Sequence, residues 1–242
     1  MLIRVINPNT TASMTRTIAR AAERVSGPGV IVQTVNPASG PASIESHYDE
    51  ALAVPGIVDE INAGDAEGVD GYVLACFGDP GLLAAREIAR GPVVGIAEAA
   101  MRTATHLGRS FSVVTTLART IGRARDLADQ FGVAHACAGY HAIDLPVLEL
   151  ETDPATYATL LESCRRALAA DDSDVIVLGC AGFAPLAAAL RDDLGVPVVD
   201  GVAAGVALVR GLIDQGLSTS RRLEFARPPS KSYAGSLARF AL

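Results

Sequence analysis

The sequence predicts an α/β protein of two pseudo-symmetric lobes, each with a mostly parallel sheet flanked by helices, and an active site in the cleft between them. Three observations point there. Short apolar, β-branched runs alternate with helical patterns along all 242 residues, as expected of parallel strands joined by crossover helices. One design occurs twice, as Val73-Leu-Ala-Cys76-Phe-Gly-Asp-Pro80 and Val177-Leu-Gly-Cys180-Ala-Gly-Phe-Ala-Pro185: a strand run ends in a cysteine, then a glycine-containing turn leads into an Ala- and Leu-rich stretch. Landmarks also recur at nearly constant offset: Val5-Ile6 with Val113-Val114 (108 apart), Cys76 with Cys180 (104) and Pro92-Val-Val with Pro197-Val-Val (105).

Taken in order, Leu2 to Ile6 reads as a strand, and Asn7-Pro-Asn-Thr-Thr11, rich in capping side chains, opens a helix to about Val25. Gly27-Pro28-Gly29 breaks the pattern before strand Val30 to Val35. Pro37 to Tyr48 reads as a long loop ahead of a helix from Asp49 to Ala63. Strand Gly71 to Ala75 reaches Cys76, and helix Pro80 to Ala89 and strand Val93 to Ile96 complete the first set. The second set runs through helix Glu98 to Leu107, strand Phe111 to Thr115, helix Ala118 to Phe131 and strand His141 to Leu145. A helix from Asp153 to Ala170 follows, with Asp153 as cap and Pro154 at its first position. Strand Val175 to Leu178 reaches Cys180, and helix Ala184 to Leu194, strand Val196 to Val199 and helix Val202 to Gln215 close the pattern. We assign residues 1–97 with 206–242 to the first lobe and 98–205 to the second.

Composition narrows the chemistry. Half of the residues are hydrophobic, as in a globular domain, and a net charge of −7 with a pI near 5.1 argues against a nucleic-acid partner. Met1-Leu-Ile-Arg4 has no signal-peptide layout. The longest uncharged stretch, Val175 to Leu190, is 16 residues long and broken by Gly179, Gly182 and Pro185, too short for a membrane span. A cytoplasmic protein without membrane contact is expected. Four cysteines (Cys76, Cys137, Cys164, Cys180) are too sparse for a disulfide scaffold, and no metal-ligand spacing appears, so no metal is expected. The one lysine, Lys231, sits in a polar tail, which disfavours Schiff-base chemistry and a P-loop.

Parallel α/β lobes bind ligands at the carboxyl ends of their strands, where Asn7 to Asn9, Cys76, Thr115, Thr116 and Cys180 all fall. A cysteine just before a helix sits at the positive end of the dipole, which favours thiolate. A modest downward shift from about 8.5 would make that form useful near neutrality. Two opposed thiols suit proton transfer at a carbon between them: one removes the proton and the other delivers one to the opposite face. This inverts a stereocentre and needs no metal or organic cofactor. The carbon must adjoin a carbonyl, whose developing enolate oxygen would take hydrogen bonds from backbone N–H groups around Phe77-Gly78 and Ala181-Gly182, from Asn7 or Asn9, and from Thr115 and Thr116. No arginine adjoins either cysteine in the sequence, which predicts a pocket short of charges and a neutral amide- or ureide-type ring as small-molecule substrate.

Asn7-Pro-Asn-Thr10, Pro41-Ala-Ser-Ile-Glu45, Ala75-Cys-Phe-Gly-Asp-Pro-Gly81 and Gly179-Cys-Ala-Gly182, in this order and spacing, resemble the aspartate/glutamate racemase superfamily and, within it, the hydantoin and allantoin racemases. The resemblance covers nearly the whole chain, and Cys-Phe-Gly-Asp-Pro-Gly is its most specific piece. It implies two pseudo-symmetric lobes, a cofactor-independent two-thiol mechanism, homo-oligomeric assembly, and Cys76 and Cys180 as the acid/base pair. Amino-acid racemases of the superfamily carry Asn-Thr after the first cysteine and Thr-Glu or Thr-His after the second. Here Phe77-Gly78 and Ala181-Gly182 stand instead, against an amino-acid substrate.

Each assignment has a structural competitor. A cysteine ending a buried strand is often a small hydrophobe; the matched positions of Cys76 and Cys180 favour chemistry, whereas Cys164, among Leu160, Leu161 and Leu168, reads as core, and Cys137 as structural. The loop bearing Ser43 and Ile44 is either a lid whose two residues line the substrate side, or an ordered surface loop whose Glu45 and Asp49 cap the next helix. Asp79 reads as the cap of the helix opened by Pro80. Phe77, Ile44 or Phe183 walls the ring substituent. The tail from Ser218, with five basic residues against Glu224, reads as solvated or subunit-contacting. The competing functions are a related racemase or isomerase of amino-acid or maleate type and a non-catalytic two-lobed binder.

Overall fold

Eight strands form two four-stranded sheets in a computed structural model of the chain, which describes residues 1–241; Leu242, the last residue assigned to the first lobe, lies outside the described residues. The first sheet contains β1 (Leu2–Ile6), β2 (Ile31–Val35), β3 (Gly71–Leu74) and β4 (Val93–Gly95) in the order β2-β1-β3-β4. The second contains β5 (Phe111–Thr115), β6 (Cys137–Ala142), β7 (Val175–Gly179) and β8 (Val198–Val199) in the order β6-β5-β7-β8. Every pairing is parallel. The second order is the first with each number raised by four, so the sequence offsets reflect a repeated topology.

Parallel neighbours need crossovers, and six helices provide them: α1 (Ala12–Ser26), α2 (His47–Glu67) and α3 (Leu82–Ile88) in the first sheet, α5 (Ile121–Gln130), α6 (Thr156–Asp171) and α7 (Ala187–Leu194) in the second; α4 (Ile96–Leu107) links the sheets and α8 (Gly201–Asp214) follows the last strand. Helices cover both faces of the central strands, which is why β3, β5 and β7 are buried along their whole length and read as continuous apolar runs. Two helices cross over between the halves. α4 follows the first sheet's last strand but packs on β7, whereas α8 follows the second sheet's last strand and packs on β3, β4 and α1. Ala97, Ala100, Met101 and Ala104 of α4 belong to one apolar cluster that reaches from Tyr72 and Leu74 to Phe111 and Val177. Met101 is wholly buried there, and such a side chain contributes about 1.5–3 kcal/mol. Among the described residues, no helix is long and apolar enough to cross a membrane.

Several elements differ from the sequence reading. The strand expected at His141 to Leu145 lies at Cys137–Ala142. It is an edge strand with only partial burial, so its apolar signal is weak, and the more apolar stretch after it breaks at Asp144, whose φ is 53°. α2 begins at His47 and continues to Glu67, capped by Ser46 Oγ, which accepts from Asp49 N–H at 3.2 Å. α6 begins at Thr156, with Asp153 Oδ1 accepting from Ala155 N–H at 2.8 Å in the preceding turn. α5 and α7 each start as 3-10 turns, at Ala118–Thr120 and Ala181–Leu186. Cys164 is buried in the second half's core, as expected. In the tail, Arg221 donates to the carbonyls of Arg86, Glu87 and Ala89 at the end of α3, and Arg239 pairs with Asp59 at 3.2 Å.

Asp79 does not cap the helix that follows it. Its carboxylate accepts from Ala97 N–H (3.1 Å) and Glu98 N–H (2.9 Å), closing the first turn of α4, whose own N-cap, Gly95, has no side chain to do so. α3 starts later, behind Gly81.

Polar side chains on two otherwise apolar central strands are answered by matching locks. Arg4 on β1 is 2% exposed. It donates to Gln33 Oε1 on β2 (2.9 and 2.6 Å) and to Glu67 Oε2 at the end of α2 (2.5 Å). In the second half, Ser112 on β5 and Asp171 at the end of α6 occupy the corresponding places, while His141 lies on β6 two residues beyond Gly139, the register counterpart of Gln33. The Ser112 hydroxyl donates to Asp171 Oδ2 (2.6 Å), and His141 Nε2 stands 2.6 Å from the same oxygen. Gly139 leaves room for this carboxylate, since a Cβ there would stand 1.9 Å from Asp171 Oδ2.

Replacing Asp171 by Ala leaves the His141 ring without its partner and the Ser112 hydroxyl with Ser173 alone (2.8 Å), and a loss of about 1–3 kcal/mol is expected as a lower urea midpoint. Asp79 supplies a pH test. Burial pushes its carboxyl up to about 7 against the two N–H donors that lower it. The folded state therefore holds a proton that the unfolded chain releases near 3.8. This group's contribution is present below that value and is lost as pH rises through about 7. Asp79→Asn, which tolerates the φ of 44°, should flatten the dependence of the urea midpoint between pH 4 and 8; an unchanged slope would exclude Asp79 as its source.

Candidate active site

The central ladders end where the chemistry-bearing residues begin. β1 and β3 stop pairing at Ile6 and Leu74, and β5 and β7 at Thr115 and Gly179. Asn7, Cys76, Thr116 and Cys180 follow at once or one residue later. A pocket of about 100 Å³ is lined from both halves. The first half brings Asn9, Ile44, Cys76, Phe77 and Gly78, and the second brings Thr115, Thr116, Cys180 and Ala181.

Four residues expected at the pocket do not line it. Asn7 is buried beneath it, its amide donating to Asn9 Oδ1 (2.8 Å) and Thr15 Oγ1 (3.0 Å), so that it braces Asn9. Phe183 is wholly buried in the second half's core beside Leu160 and Leu178. Gly182 faces a separate cleft with Arg16, Arg20 and Glu151, and Ser43 stops one residue short of the lining. The wall residues Ile44 and Phe77 are present.

Both cysteines have free thiols. Each sulfur is served by the N–H two residues on: Gly182 N–H stands 3.4 Å from Cys180 Sγ, and the Gly78 N–H acts on Cys76 in the same sense. The Gly182 amide, expected to meet a substrate oxygen, is thus turned toward sulfur. The Thr115 hydroxyl is likewise committed, donating to the Gly179 carbonyl at 3.0 Å. Thr116 and Asn9 remain as lining donors, Asn9 with one amide hydrogen already given to Met14 Sδ at 3.2 Å.

Proximity to helix starts does not lower the thiols. Burial pushes Cys180 up to about 11 against the N–H groups of Gly182 and Phe183, with Glu45 adding to the rise. Cys76 is raised further, by burial first, then by Cys180, Glu50 and Asp79, with only the Gly78 N–H opposing. Desolvation of a charged sulfur outweighs the dipole because α3 begins only at Leu82 and Cys180 precedes a 3-10 turn rather than an α-helix.

The pocket is also richer in charge than expected, with Glu45, His47, Glu50, Arg119 and Arg123 on its lining. Glu45 and His47 lie on the loop that the sequence offers as a lid, whereas Glu50, Arg119 and Arg123 are distant in sequence from either cysteine and spacing gives no sign of them. Most of this charge is answered locally. Arg123 pairs with Glu50 at 3.3 Å, and Glu45 Oε1 accepts from Val147 N–H at 2.7 Å across the two halves. The loop before α2 is tied down as well, since Pro41 O accepts from Thr10 N–H (3.0 Å) and Ala42 O from the Thr11 hydroxyl (2.7 Å). Among the described residues, no three His, Cys, Asp or Glu side chains converge as a metal site.

Comparison with known proteins bears on this arrangement. A family model described as Asp/Glu/Hydantoin racemase matches residues 3–209. The chain is 45% identical to a hydantoin racemase of Pseudomonas sp. (strain NS671), covering 99% of this chain and 97% of that protein. It is 47% identical to a hydantoin racemase of Rhizobium meliloti, covering 97% and 98%. The structure of an allantoin racemase from Klebsiella pneumoniae superposes with a TM-score of 0.97 at 50% identity, covering 100% and 99%. With matches of this extent in sequence and fold, the chain belongs to the Asp/Glu/Hydantoin racemase family.

Proposed function

We propose that the protein inverts the C5 stereocentre of 5-substituted hydantoins, allantoin (5-ureidohydantoin) included, by proton transfer between Cys76 and Cys180. The observation that carries this reading is that both half-buried cysteines line one small pocket, each from a different half of the chain. One cysteine, as thiolate, takes the C5 proton; the C5 electron pair moves onto the C4 carbonyl oxygen; the other cysteine, as thiol, returns a proton to the opposite face. The second sulfur is left as thiolate, and the protonation states have exchanged. No proton or electron is gained or lost overall, so the scheme requires neither metal nor organic cofactor.

The raised thiols fit this step. A carbon acid beside a carbonyl is weak, and a sulfur base of higher proton affinity stands closer to it in strength. The cost is a small thiolate fraction near neutrality. Asn9 and Thr116 are the donors offered to the ring carbonyls, and Ile44 and Phe77 the wall for the substituent. The pairing of Arg123 with Glu50 and of Glu45 with the Val147 amide keeps the pocket suited to a neutral ureide. A reducing, cytoplasmic setting would preserve the four free thiols, and the family resemblance supports assembly as a homo-oligomer.

The test is to incubate single enantiomers of a 5-alkylhydantoin and of allantoin in deuterated water with and without protein. Catalysed loss of optical rotation, with deuterium entering at C5, is the expected result; rotation retained at the uncatalysed rate with every ureide would favour a binding protein. Cys76→Ser and Cys180→Ser should each lower racemisation by about 10²–10⁴-fold, and substantial turnover in both would remove the two-thiol scheme. Because burial holds the thiols above their ordinary range, kcat/KM should rise from pH 6 to 9 as thiolate forms, a trend that steady-state rates will check.

A further inference from the structure

The turn that carries Cys76 is held by side chains the proton-transfer scheme does not use. Arg123, on α5, aims two donors at one acceptor, with Nε and Nη2 at 3.1 and 2.7 Å from the Gly78 carbonyl oxygen. The same guanidinium pairs with Glu50 Oε2 on α2 at 3.3 Å. Glu50 in turn packs against Gly78 so tightly that a Cβ there would stand 2.3 Å from Glu50 Oε1. His47, at the exposed end, brings Nδ1 to 3.7 Å from Glu50 Oε2. Residue 78 is therefore gripped from both halves, its carbonyl by α5 and its Cα by α2, while Asp79 N–H closes the turn on Cys76 O at 3.0 Å.

We propose that Arg123, braced by Glu50, is a positioning residue for the Cys76 thiol: by fixing Gly78 it keeps that residue's N–H on the sulfur, and it balances the carboxylate beside it. A forked guanidinium is suited to this because two parallel donors fix orientation as well as distance. An N–H held in a poorly hydrated site is worth more than one free to swing. The charged groups facing Cys76 are Glu50 from α2, Asp79 on its own turn, Cys180 when ionised, and Arg123 from α5 through Gly78 and Glu50. His47 and Arg119 line the same pocket, and of the pocket's basic groups Arg123 is the one bonded to the Cys76 turn. The corresponding turn of the second half has no such grip, for at Gly182 the close neighbour is Leu150 Cδ1. The role in turnover rests on the two-thiol reading; the effect on the sulfur does not.

The experiment follows the thiols without substrate. Full-length protein and its Arg123→Gln and Arg123→Lys variants are alkylated with iodoacetamide from pH 7 to 10, and the rate at each cysteine is read by peptide mapping. In Arg123→Gln, the pH profile at Cys76 should move upward by about one pH unit, equivalent to about tenfold slower alkylation at a fixed pH below the midpoint, while Cys180 keeps its profile. Arg123→Lys, which restores the charge without the fork, should fall between, and it carries the test if the Gln variant does not fold. An unchanged Cys76-to-Cys180 rate ratio in a folded variant, or equal slowing of both thiols, overturns the proposal. Should the unaltered protein fail to racemise any hydantoin while the Cys76 profile still shifts, the functional reading fails and the positioning role stands.

Discussion

The pocket exists because four parallel strands stop within a residue or two of one another. Hydrogen-bonded pairing fixes Ile6 beside Leu74 and Thr115 beside Gly179, and in a parallel sheet the chain must leave the ladder at that end to begin its crossover. Whatever follows those positions is delivered to the same edge. Cys76 and Cys180 arrive there by identical routes, and the exchange of α4 and α8 between the sheets packs the two halves into a common core. A slip of one residue in either central strand would turn a sulfur from the edge toward a helix layer.

Once there, the sulfurs are governed by a contest between dehydration and hydrogen bonding. Taking a thiolate out of water is unfavourable, and a single amide from the residue two ahead offsets only part of this. The halves treat the contest differently. Cys180 has the amides of Gly182 and Phe183, whereas Cys76 has that of Gly78 and more negative charge around it. The twofold likeness of the backbone thus does not extend to the electrostatics, so the two thiols are chemically distinct despite equivalent places in the fold.

Much of this was legible in the sequence, because a buried parallel strand must be apolar along its length and the ends of such runs are easy to locate. Seven of the eight strands, the meeting of Cys76 and Cys180 at one pocket, and the family motifs all follow from signals of that kind. What escaped depends on contacts between distant residues. β6 is an edge strand whose half-exposed residues carry little periodic signal. Asp79 was read as a local cap, but its carboxylate reaches the amides of α4. Asn7 and Asn9 lie two apart in one turn, and only their side-chain directions separate brace from lining. Arg123 and Glu50 meet at Gly78 from opposite halves, a meeting that no spacing rule anticipates.

The two locks on the central strands bear on how such a duplicated chain reaches its proper sheet. Because both halves use one strand order, a folding β1 has two similar vacancies open to it. In the wrong one, Arg4 would stand opposite Gly139, where the Asp171 carboxylate fills the space, without the Gln33 acceptor it uses in its own sheet, and Ser112 in exchange would leave Gln33 and Glu67 without their guanidinium. Side chains with no part in the pocket would act in this way as address labels, letting two halves of one strand order assemble without trading pieces.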